Sequence, residues 1–76
     1  MQEKLLILRK KHDFSQEEMA KYLNISSAQY GKKERGLNAF NSDEMFIIRN
    51  IFNKPLEEIF LPRNHQNGDK EREEVK

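Results

Sequence analysis

The sequence predicts an all-α fold, and three observations carry that expectation. Apolar residues recur at intervals of three and four rather than alternating. The helix-starting pattern of a Ser or Asn three residues before a Glu or Gln occurs three times, at Ser15/Glu18, Ser26/Gln29 and Asn41/Glu44. With 76 residues, 36% hydrophobic and 36% charged, the chain is one small domain, too short for a barrel or a doubly wound sheet.

Five short helices follow from the pattern. Helix one is expected from Gln2 to His12: Leu5 and Leu8 share a face, and Arg9, Lys10 and Lys11 place cations at the C-terminal end, where the helix dipole favours them. Leu6 and Ile7 are apolar without being required by the period; they widen the core contact or face a partner. Ser15 with Glu18 starts helix two at Gln16, Phe14 and Met19 can staple it, and it runs to about Leu23. Only Asn24 and Ile25 follow before the next start, and Asn tolerates a left-handed backbone, so the turn is sharp. Helix three, opened by Ser26 with Gln29 and stapled by Ile25 with Tyr30, spans Ser27 to about Arg35 and ends at Gly36. Asn41 with Glu44 opens helix four, which carries Met45, Phe46, Ile48, Ile51 and Phe52, with Phe40 available to staple against Met45 and Asn53 to end it. Pro55 suits the first turn of a short fifth helix, Leu56 to about Phe60, closed by Pro62. The domain is thus expected over residues 1–63. Residues 64–76 contain one apolar residue, Val75, and read as a charged, disordered tail.

Composition removes several classes of function. Without cysteine there is no disulfide, thiolate nucleophile or finger-type zinc site. The longest apolar runs, Leu5 to Leu8 and Met45 to Ile48, fall far short of the roughly 20 residues that span a bilayer, and the N-terminus lacks the apolar core of a signal peptide. A cytoplasmic location, in a bacterial or phage-infected cell, is expected. His12 and His65 have no paired base, and metal binding by His65 with Asp69 would need an ordered tail, so neither catalysis nor a metal or cofactor is expected. The net charge is only +1, yet it is unevenly spread. Residues 9–35 carry seven basic groups against four acidic ones, a local +3, whereas residues 36–62 come to −2. The first half can attract a polyanion.

Two short helices joined by so tight a turn meet the geometric need of a DNA-reading helix-turn-helix, whose second helix must project into the major groove. Met19, Leu23, Ile25 and Tyr30 fall at inward positions, and Ala20 is small where the helices approach. The runs Leu8-Arg9-Lys10-Lys11, Phe14-Ser15-Gln16-Glu17-Glu18-Met19-Ala20, Ile25-Ser26-Ser27, Glu34-Arg35-Gly36 and Leu56-Glu57-Glu58-Ile59-Phe60 together resemble the Cro and repressor (lambda repressor-like) family of helix-turn-helix regulators, over about residues 4–62.

The resemblance implies that helix three is the recognition helix and that Ser27, Ala28, Gly31 and Lys32 face the bases; helical spacing puts these four on one side. Lys32 can donate to guanine, the Ala28 methyl can touch a thymine methyl, and the Ser27 hydroxyl can meet several base edges. Gly31 would allow close backbone approach, at a helix cost of about 1 kcal/mol relative to Ala. By the same resemblance Gln16 grips a phosphate and Arg9 pairs with Glu34 to link helices one and three. Ser15, Lys33, Arg35 and Asn38 complete the expected contacts to the DNA backbone.

The chain departs from the family at several points. Asp13 stands where the family prefers Gly, and Arg49 where it has a small residue. Lys33 occupies a usually apolar inward position, so its stem must pack while its amine reaches solvent or phosphate. The loop from Leu37 to Asn41 has no cation, which implies modest affinity per monomer. A homodimer on a two-fold operator of double-stranded DNA would compensate, with Leu37, Phe40, Phe60 and Leu61 as the pairing face; Phe40 and Phe60 can equally complete the core. The whole then reads as a compact Cro-type transcription regulator, with no room for an effector domain and no small-molecule substrate. The alternative is a protein-interaction module, such as an antitoxin or adaptor, that retains the fold.

Overall fold

The computed structural model describes residues 1–61. Four α-helices follow one another: α1 (Glu3–Lys11), α2 (Gln16–Leu23), α3 (Ser27–Glu34) and α4 (Ser42–Phe52). No strand occurs among the described residues, and none of the helices there is long and apolar enough to cross a membrane. The fold is all-α, as expected. The expected tail at 64–76 and the last two residues of the expected domain lie outside the described residues.

All three capping boxes form with both reciprocal hydrogen bonds. The Glu18 N–H donates to Ser15 Oγ at 3.0 Å and the Ser15 N–H to Glu18 Oε1 at 2.8 Å. Ser26 with Gln29 and Asn41 with Glu44 repeat the exchange. Each satisfies two N–H groups that a helix start would otherwise leave free. The ends are equally local in origin. Asp13, Asn24 and Asn53 stop α1, α2 and α4 in the left-handed region, at φ 61, 59 and 54°, and Gly36 follows α3 at φ 87°. A side chain at Gly36 would also meet the Met1 backbone nitrogen at 3.0 Å.

Leu5, Leu8, Met19, Ala20, Leu23, Tyr30, Ile48, Phe52, Ile59 and Phe60 make one core, with Phe14, Ile25, Phe40, Met45, Ile51 and Leu56 packed against it. Aromatic rings close two of its sides. His12 and Phe14 both lie against Phe52, with centroids 5.1 and 6.0 Å away, while Phe40 bridges Tyr30 and Phe60 at 5.9 and 5.3 Å. Nδ1 of His12 lies 2.9 Å from the Leu8 carbonyl, which can only accept, so that nitrogen carries the hydrogen.

Two expectations need correction. The fifth helix is a single 3₁₀ turn, Leu56–Glu58. Pro55 before it is extended, and Ile59 and Phe60 immediately after it are both buried, at 0% and 8% exposure. The Ile59 and Phe60 N–H groups both donate to the Leu56 carbonyl, at 3.0 and 2.8 Å, so the turn closes on itself and no second turn is added. Ile7 does not widen the core contact: it is 65% exposed, on the side of α1 away from Leu5 and Leu8. Its neighbour Leu6 is half-buried.

Gln2 closes the domain in a way its residue type did not signal. Its amide oxygen accepts from the Leu61 N–H at 2.6 Å and its amide nitrogen donates to the Leu61 carbonyl at 3.2 Å, while its own N–H donates to the Glu34 carbonyl at 2.8 Å. One side chain thus ties the start of α1 to the chain's return after the 3₁₀ turn.

Candidate nucleic-acid interface

The α2–turn–α3 unit rests on a sequence that leaves the backbone little choice. Asn24 turns left-handed, and the Asn24 and Ile25 N–H groups donate to the Lys21 and Ala20 carbonyls, so that only three residues separate α2 from α3. Ala20, 2% exposed, lets the two helices come close, and theirs is the most extensive helix contact among the described residues.

The angle of α3 is held by one carboxylate. Glu34 Oε2 accepts from Arg9 Nε at 2.8 Å and from the Tyr30 hydroxyl at 2.9 Å; Oε1 accepts from Arg9 Nη2 at 3.2 Å and Gln16 Nε2 at 3.0 Å. The third arm of Arg9, Nη1, donates to the Phe14 carbonyl at 2.8 Å. α1, α2 and α3 therefore meet at a two-point, charge-assisted contact whose side chains are 9% and 3% exposed. Burial by itself would push the Glu34 carboxyl up, but the hydrogen bonds from Arg9, Gln16 and Tyr30 and the Arg9 charge outweigh it and hold it below its ordinary value. The bond to Glu34 raises Arg9 in turn, against the opposing effect of burial. Burial first, then the Glu34 charge, raises the Tyr30 hydroxyl, which stays protonated and donating.

On the opposite side of α3, Ser27, Ala28 and Lys32 are exposed, together with Arg35 just past its end. Gly31 lies on that side too but is buried, because the Arg35 and Gln16 side chains cover it. Ser15 and Asn38 are exposed; the Ser15 hydroxyl is engaged in its cap. Gln16 is half-buried and spends one amide hydrogen on Glu34.

Lys33 departs from its expected behaviour. Its amine lies 2.6 Å from both carboxylate oxygens of Glu44, turned inward to α4 rather than to solvent or phosphate. Glu44 is 5% exposed and already accepts the Asn41 N–H in its cap, so a cation beside it offsets the cost of burying its charge. An inward lysine calls for a buried counter-charge, and that was the signal available in the sequence.

The four residues read as a pairing face divide. Leu37 is 63% exposed; Phe60 is a core residue; Phe40 and Leu61 are half-buried. Phe40, Phe60 and Leu61 nonetheless line one open groove of about 550 Å³, with Gln2, Met45 and Leu56 among its other walls.

No curated protein and no solved structure matches the chain significantly. Residues 5–59 match the family model described as helix-turn-helix, from α1 through the 3₁₀ turn. With its buried Arg9–Glu34 link, its tight α2–α3 turn and this match over most of its length, the chain belongs to the Cro and repressor type of the helix-turn-helix family, regulators that bind double-stranded DNA.

Proposed function

We propose that the protein is a sequence-specific transcription regulator of Cro type that occupies a two-fold operator as a homodimer, with α3 in the major groove. The observation that carries this reading is the asymmetry of α3. Its inner side is fixed to α1 and α2 through Glu34 and to α4 through Lys33, while its outer side offers Ser27, Ala28 and Lys32 to solvent. Lys32 and Arg35 form no ion pair among the described residues, so their charge is available to DNA. In this reading Ser27, Ala28 and Lys32 meet base edges, and Ser15, Gln16, Arg35 and Asn38 meet phosphates beside the N-terminus of α2. Lys33 acts as a brace to α4 and not as a phosphate ligand.

Selection of bound DNA from a random pool, followed by sizing of the complex, tests the reading. Enrichment of a two-fold sequence is expected, and Lys32→Ala should weaken binding by about 1–3 kcal/mol and relax preference at one position per half-site. Unchanged affinity and preference in that variant would remove Lys32 from the reading role.

Exposed Phe46 and Ile47 on α4, at 55% and 37%, favour a second reading as a protein-interaction module. Salt separates the two. Several phosphate contacts predict a steep loss of affinity as salt rises; no DNA binding at low salt, beside a tight protein partner, would favour the second.

A further inference from the structure

Gly31 lies inside α3 with helical residues on both sides, where the lack of a side chain weakens a helix. Its φ is not positive, so the backbone does not call for glycine. Core packing does not call for it either. The atoms nearest to where a Cβ would stand are Nη1 of Arg35 at 3.3 Å and Oε1 and Nε2 of Gln16 at 3.5 and 3.8 Å. All three are polar ends of side chains, and both residues belong to the proposed phosphate-contacting set. Arg35 lies four positions beyond Gly31, and its side chain folds back over the bare stretch of helix. Gln16 is held from the other side by its bond to Glu34, which leaves its carbonyl oxygen within 3.5 Å of the same point.

We infer that Gly31 is a positioning residue: the side chain it lacks leaves a seat for the Arg35 guanidinium beside Gln16, aiming that charge at a DNA phosphate next to the N-terminus of α2. This rests on the DNA-binding reading, and it replaces close approach of backbone to bases as the reason for glycine. The chemistry suits the geometry. A guanidinium fork matches phosphate oxygens, but a free arginine has much rotamer freedom to lose. Resting on the helix with Gln16 at its flank, the fork has less left to lose. No carboxylate among the described residues competes for it, whereas Arg9 and Lys33 are each paired. A methyl group at position 31 would stand 3.3 Å from Nη1, tighter than ordinary van der Waals contact, and the flexible Arg35 would give way rather than the helix.

A double-mutant cycle of Gly31→Ala and Arg35→Ala in the full chain tests the seat. The measurements are affinity for a selected operator against salt, and thermal unfolding. Gly31→Ala should unfold at an equal or higher temperature, since Ala is the better helix former. It should nevertheless bind about tenfold more weakly per protomer, with a salt slope shallower by about 0.9. Arg35→Ala should lose the same amount, and the double variant no more than Arg35→Ala alone. Losses that multiply, a full salt slope in Gly31→Ala, or full affinity in Arg35→Ala overturn the seat. So does a lower unfolding temperature for Gly31→Ala, which would mark a packing role. A wild-type chain that binds no DNA at low salt overturns the DNA-binding reading and the seat together, whereas failure of the seat alone shows as tight wild-type binding with an additive cycle.

Discussion

Glu34 accepts four hydrogen bonds from three side chains, and the cost of removing it follows from what it leaves behind. In Glu34→Ala the Arg9 guanidinium stays largely buried without its counter-charge, and the Tyr30 hydroxyl and Gln16 amide lose an acceptor. A loss of about 3–5 kcal/mol is expected, close to the whole stability that a core in a chain of this size supplies. Urea unfolding measures it; a loss below about 1 kcal/mol would mean that the pair is solvated. Removing both charges in Arg9→Met with Glu34→Leu should cost less than the two single losses added together, because neither partner is left stranded. The pH dependence has a definite sign. Glu34 sits below its ordinary value of 4.5 in the folded chain, so its stabilisation is complete above that value and is lost as pH falls from there through the lowered one. On the acid side, the urea midpoint of wild type should therefore fall more steeply than that of Glu34→Gln. Parallel curves would show that another carboxylate governs acid unfolding.

The helices themselves are set by short-range signals, and their ends are where single changes act. Ser26→Ala removes the cap of α3 and should cost about 1 kcal/mol. It should also loosen the turn that carries Ser27 and Ala28, so DNA affinity falls further than stability alone explains. Asn24, at φ 59°, should tolerate Gly within a few tenths of a kcal/mol but lose about 1 kcal/mol as Ala, since a Cβ is strained there. Chemical denaturation of the three variants checks the order; an Asn24→Ala as stable as Asn24→Gly would contradict it. These features were legible in the sequence because each partner lies within three or four residues, as Ser15 does with Glu18 and Asn41 with Glu44. What was not legible depends on distance along the chain. Gln2 finds Leu61 across 59 positions, and nothing local marks it as a clamp. Lys33 was recognisable as an inward cation, but its partner stands eleven positions on, in another helix. The fifth helix falls short because Pro55, a good local start, stands extended just outside the turn, and the N–H groups of Ile59 and Phe60 both return to the Leu56 carbonyl. Among the proposed DNA-facing residues, Gly31 stood out by type alone, and only the fold brings Arg35 and Gln16 over it.

Across the whole molecule, the basic excess of residues 9–35 is smaller at the surface than its formal +3 indicates, because Lys33 is consumed by Glu44, which lies outside that stretch; the Arg9–Glu34 pair cancels within the sum. Lys32 and Arg35 remain on the α3 side, and the loop that follows adds no cation. One protomer therefore has few phosphate contacts to make, and a paired one would double them at half-sites about 34–36 Å apart. Leu37 is the residue on which to test pairing. It is 63% exposed and outside the core, so Leu37→Asn should leave the urea midpoint unchanged and add no charge near DNA. Changes at Phe60 would unsettle the fold instead. If Leu37 belongs to the pairing face, affinity for an isolated half-site stays at the wild-type value while affinity for the two-fold site falls by about tenfold or more, the loss of roughly 1.4 kcal/mol or more expected from withdrawing one apolar contact residue. Sedimentation on the two-fold site should then show one protomer where wild type shows two. Equal affinity and equal mass for both proteins would move the pairing face away from Leu37, towards the groove lined by Phe40 and Leu61.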